Sequence, residues 1–177
     1  GLVAQGSDPD EVAKTISLAQ DLAQPVKIFS VDQEIEITGN SATPARNAVI
    51  RQYDTVTGNI AKATVIFNDD NDTNSILSIN RHISATTRYD YAVNDTDPIA
   101  IDSVVNANAT NNGTAYVIGS IGTTDWTTIG AASNTVGLAF TATGTGSGSG
   151  TAYVSLGAPV SITNRDFGAV KGVQRAF

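Results

Sequence analysis

The run Ala61-Lys62-Ala63-Thr64-Val65-Ile66-Phe67 decides the fold class. Ala61, Ala63, Val65 and Phe67 alternate with Lys62, Thr64 and Ile66, a period of two that puts the first set on one face of a half-buried strand. The same period recurs on both sides of it. Ile35 and Ile37 alternate with Glu34 and Glu36 upstream, and Tyr89, Tyr91 and Val93 alternate with Asp90 and Ala92 downstream. Gly39-Asn40, Gly58-Asn59 and the polar run from Asn68 to Asn74 separate these segments as turns. The expected fold is mainly β, an antiparallel sandwich or barrel.

One short helix is expected before the strands. Asp8 suits the N-cap, Pro9 the first helical position, and Glu11 lies three residues after the cap, where its carboxylate reaches back to the cap amide. Val12, Ile16, Ala19 and Ala23 share one helical face, and Gln24-Pro25 ends the run. The expected division is an arm over 1–7, a helix plus antiparallel β domain over 8–102, a small Gly/Thr-rich β module over 103–156, and a basic arm over 157–177.

The composition favours this reading. Only 15% of the 177 residues are charged against 41% hydrophobic, so Thr, Asn, Ser and Gly must provide much of the water-facing surface. Thr tolerates strands, while Asn and Gly serve turns. The net charge of -7 argues against nucleic acid as a partner, because a grip on phosphates relies on Lys and Arg. With no Cys there is no disulfide, thiolate metal site or Cys nucleophile. No apolar run is long enough for a membrane helix. Met is absent even at position 1, which leads to the expectation that an initiator or propeptide has been removed before Gly1.

Charge is distributed unevenly. Asp125 is the only charged residue between Asp102 and Arg165, so that segment must present a polar but nearly neutral surface, poorly defended against edge-to-edge β association. The last residues carry Arg165, Lys171 and Arg175 against Asp166, a basic tail that could meet an acidic stretch of another subunit. Arg165, Lys171, Arg175 and Phe177 are the candidate assembly contacts.

Within the neutral segment, residues 113–154 read GTAYVIGSIGTTDWTTIGAASNTVGLAFTATGTGSGSGTAYV. Val117, Ile121, Trp126, Ile129, Val136, Leu138 and Phe140 can supply a small core, with Trp126, Ile129 and Phe140 as its anchors. Gly122, Gly130 and Gly137 permit the positive φ angles of tight turns. Asp125 is placed to accept hydrogen bonds from turn amides. The order of Gly122 to Asp125, Trp126, Ile129-Gly130, Ser133 to Gly137 and Phe140 to Gly144 resembles a module that recurs in structural proteins of tailed phages, particularly marine phages and those of cyanobacteria. Trp126 stands where that module often has Phe. The resemblance implies a place in a virion, with other virion proteins, the major capsid protein or tail proteins, as partners.

Chemistry is sparse. His82 is the only His, and the letters Gly-x-Ser-x-Gly occur only within the low-complexity run Gly146-Ser147-Gly148-Ser149-Gly150, without the strand-to-helix setting of a nucleophile elbow. The run around Asp69, Asp70 and Asp72 has oxygen ligands that Ca²⁺ favours, but lacks the central Gly and terminal Glu of an EF-hand loop. A polar turn is the better reading. Gly144 to Gly150 has no P-loop Lys and reads as a flexible hairpin tip. No catalytic residue and no cofactor is expected. The expectation is a non-enzymatic, homo-oligomeric virion protein, a capsid decoration or cement protein first. A tail-tube or tail-fibre subunit and a secreted carbohydrate-binding or adhesion module are the alternatives. The last would use aromatics such as Trp126, Tyr89 and Tyr91.

Overall fold

A computed structural model of the chain describes residues 33–38, 43–70, 74–82, 91–93 and 96–164. Among them are nine strands: β1 (Gln33–Thr38), β2 (Val49–Tyr53), β3 (Ile60–Asp70), β4 (Asn74–Arg81), β5 (Ile99–Asn106), β6 (Ala115–Ser120), β7 (Ala139–Thr141), β8 (Thr151–Gly157) and β9 (Pro159–Asn164). Two short 3-10 turns lie at Ala107–Ala109 and Trp126–Ile129. The fold is mainly β, as expected. The expected helix and the first arm lie outside the described residues.

The strands form one antiparallel sheet in the order β7-β6-β8-β5-β2-β3-β4-β1-β9. Its curl follows from chain connectivity. β8 pairs with β5 near one side of the sheet, β9 pairs with β1 at the far side, and only Ala158 separates them. Because consecutive Cα atoms lie about 3.8 Å apart, the sheet must bend back until β1 and β8 meet, and they do. The result is a half-barrel drawn together by the continuous run β8–β9.

Alternation fills the inside of the curl. Ile35, Ile37, Ile50, Ala61, Ala63, Val65, Leu77, Ile79, Ile99 and Leu156 are buried together, while Glu34 and Glu36 are only half-buried. A second core lies under the Gly/Thr-rich segment, from Ala107, Tyr116, Ile118, Trp126, Ile129, Ala131, Phe140, Ala142 and Ala152. β5 and β8 serve both cores, with Ile99 and Leu156 in the first and Val105 and Ala152 in the second. Position 102/103, where one domain was expected to give way to the next, falls inside β5, and the stretch expected to be the basic arm begins with β9 in the sheet.

Three local expectations change. In β3, a register irregularity between Val65 and Phe67 inserts one residue, so that Ile66 is buried and Phe67 turns outward beneath Arg46. One extra residue reverses the facing of everything after it. The polar run from Asn68 is not wholly a turn, since β3 continues to Asp70 and β4 starts at Asn74. Residues 91–93, expected in a strand, form none. Tyr91 instead plugs the first core and donates its hydroxyl to the Ile50 carbonyl at 3.0 Å. Buried Gln52 secures that segment, donating to the carbonyls of Ala92 and Asp97, each at 2.7 Å, and accepting from the Ala92 amide at 2.8 Å.

Candidate functional site

The Gly/Thr-rich unit is built around Asp125 and Trp126. Asp125 caps the 3-10 turn by accepting from the Thr127 amide at 3.1 Å and its hydroxyl at 2.6 Å, and from the Asn134 side-chain amide at 3.0 Å. The Thr127 hydroxyl first, then Asn134 and the Thr127 amide, hold the Asp125 carboxyl below the usual carboxylate range. The expected role of Asp125 is the one found. Asn134 also receives the Trp126 amide at 2.7 Å, tying the 133–137 turn to the 3-10 turn.

That tie places Trp126. Its indole is fully buried, meets Phe140 edge-on at 5.6 Å and donates to the Ser120 carbonyl at 3.2 Å. Ile129 and Phe140 lie in the same core, so the three expected anchors come together. Gly122, Gly130 and Gly137 all have positive φ, at 53°, 108° and 87°. Other members of the expected core do not join it: Ile121 is 37% exposed, while Val117 and Val136 line the opposite, outer face of the sheet.

The segment expected to be a flexible tip is stapled down. The Gly146 amide donates to the Ala107 carbonyl at 2.9 Å and to the Thr110 hydroxyl at 3.1 Å, and the Gly150 amide donates to the Thr124 hydroxyl at 2.8 Å. A Cβ on Gly150 would lie 2.5 Å from the Ile121 carbonyl oxygen, so glycine is needed for close backbone approach.

The outer face carries a constellation that the sequence did not suggest. Arg51 on β2 is nine-tenths buried, donates to Asp102 at 3.2 Å, and lays its guanidinium over the Tyr153 ring at 3.9 Å from the centroid. Lys62 donates to the other Asp102 oxygen at 2.6 Å. Asp102 reaches both cations because β5 carries extra residues between Ala100 and Val104, a bulge opposite β8. A groove of about 80 Å³ opens beside this cluster, lined by Arg51, Tyr53, Ala100, Val117, Val136 and Tyr153 among others.

The remaining expected residues are scattered. Asp69 and Asp70 end β3, and Asp72 lies outside the described residues, as do Arg165, Lys171, Arg175 and Phe177. Among the described residues, no group of three His, Asp or Glu converges as a metal site. His82 is exposed and its Nε2 meets the Thr64 hydroxyl at 2.7 Å. Trp126 and Tyr91 are buried and cannot form an aromatic platform, and Tyr89 lies outside the described residues; Phe67, Tyr53 and Tyr153 are aromatics that do face outward. No family model, no curated protein and no solved structure matches the chain.

Proposed function

We propose that this protein is a non-enzymatic structural component of a tailed-phage particle, a capsid decoration protein that adds contact area between shell subunits. The observation that carries this reading is the surface of the Gly/Thr-rich unit. Its single charged side chain, the exposed Asp125, is hydrogen-bonded within its own cap, and the rest of its surface offers hydroxyls, amides and a few apolar groups such as Val104 and Ile121 to a partner. A surface with a single charge loses less solvation on being covered than a densely charged one, and it repels copies of itself only weakly. The dense staples from residues 107–110 and 120–124 to 144–151 suit a rigid element that bears load rather than one that closes on a substrate.

The phage-like order of residues 113–154 supports the same setting. The test is to add purified protein to empty capsids and to determine its oligomeric state by light scattering. Oligomers that bind the shell in stoichiometric, saturable fashion and raise its resistance to heat are expected. Stacked rings or tubes would move the protein to the tail, and a monomer that binds neither shell nor tail would overturn the proposal.

A further inference from the structure

The groove between Tyr53 and Tyr153 has unspent recognition chemistry. Of the five donors of the Arg51 guanidinium, the described structure uses a single N–H, toward Asp102; the others have no acceptor among the described residues and are not sealed in the interior, so they face the groove. The hydroxyls of Tyr53 and Tyr153 likewise have no hydrogen-bond partner among the described residues. Arg51 and Lys62 against Asp102 leave this cluster with one positive charge in a chain whose net charge is -7.

The arrangement is held in place rather than incidental. Ala100, the partner of Arg51 on β5, lines the groove with Tyr153 and offers only a methyl group there, leaving the guanidinium room to lie on the ring. Gly119 makes room on the other side, where a Cβ would lie 2.4 Å from Tyr153 Cε2. Gly137 packs against Tyr53 in the same way, a Cβ there coming within 2.4 Å of the ring. Both tyrosines are therefore positioned by backbone that has given up its side chains to them.

We propose that this groove binds an acidic sugar residue of the hexuronate class. Arg51 takes the carboxylate through its free N–H groups, the Tyr53 ring and Val117 flank the apolar face of the pyranose, and the tyrosine hydroxyls bond the sugar hydroxyls. The groove's volume of about 80 Å³ holds roughly two or three waters, room for the carboxylate and the adjoining edge of the ring, and the rest of the sugar would project from its open side. A neutral sugar leaves Arg51 without its anion, and a simple carboxylate leaves the rings and hydroxyls uncovered. The inference is independent of where in a particle the protein sits.

The test is saturation-transfer NMR and calorimetry on the whole protein with glucuronate, glucose and acetate. Glucuronate is expected to bind in the millimolar range usual for single-residue contacts, with the other two about tenfold weaker. Arg51→Gln should remove about tenfold in affinity, and Tyr153→Phe several-fold, with melting curves recorded for each. Should Arg51→Gln fail to fold, Arg51→Lys carries the test, since it keeps the charge near Asp102 but loses the planar fork and should still weaken glucuronate. Equal binding of glucose, equal binding of acetate, no binding of glucuronate, or unchanged affinity in the folded variants would each overturn the proposal.

Discussion

Replacing Trp126 by Ala tests whether the small core and the half-barrel are one cooperative unit. The indole is fully buried, so truncation leaves a cavity beneath Phe140, and such Trp→Ala changes cost about 3–5 kcal/mol. The lost Nε1 bond to the Ser120 carbonyl lies within that range at about 1 kcal/mol. A total near 4 kcal/mol is a large share of the roughly 5–15 kcal/mol that stabilises a domain, and in a chain of 177 residues it should lower Tm by about 10 °C. Trp126→Phe keeps an aromatic ring against Phe140 and should lose only about 1–2 kcal/mol. Urea unfolding followed by circular dichroism measures both, and amide exchange shows where protection falls. Because β5 and β8 run through both cores, Trp126→Ala should also speed exchange at Ile35 and Ile79 in the half-barrel. A loss below about 1 kcal/mol would refute the core assignment. Unchanged protection at Ile35 and Ile79 would refute the coupling.

Further outcomes follow from single contacts. Gly137→Ala forces a side chain into the left-handed region and against Tyr53, and should cost at least about 2 kcal/mol in a chemical melt. Gln52→Leu removes three buried hydrogen bonds and should cost about 2–4 kcal/mol, with faster proteolysis near residues 91–97. Asp102→Ala leaves Arg51 nine-tenths buried without its carboxylate and should cost about 2 kcal/mol, whereas Lys62→Ala, whose side chain is 40% exposed, should cost well under 1 kcal/mol, an upper bound of about 1. Asp54, held low chiefly by the Thr57 hydroxyl, and Asp125, held low chiefly by the Thr127 hydroxyl, both favour the carboxylate in the fold. Their contribution is complete above the usual carboxylate range and is lost as pH falls through and below about 4. Asp125→Asn should therefore flatten the acid side of the Tm-against-pH curve, and an unchanged slope would refute the cap's role in it.

Much of the fold was legible in the chain because it depends on local rules. A period of two at Ile35/Ile37 and Ala61/Ala63/Val65 requires only that one face be buried, and those residues are buried. Gly122, Gly130 and Gly137 take positive φ because turns of that shape exclude side chains. Asp125 caps its own neighbours. Where the rule reached past its neighbours it failed: the alternation put Phe67 inside, but the bulge at Ile66 turns it out.

The sequence by itself therefore determined the β class, the turn glycines, the Asp125 cap and the Trp126, Ile129 and Phe140 core. Only the tertiary structure decided which way Val117, Val136 and Tyr153 face, that Gly146 to Gly150 are stapled rather than loose, and that Arg51, Asp102 and Tyr153 meet. Those three residues lie on three strands, and their meeting depends on register, on a bulge in β5 and on the order of strands in the sheet. Such pairings are long-range, set by how the whole sheet curls to bury two cores at once, and no local pattern around Arg51 or Tyr153 records them.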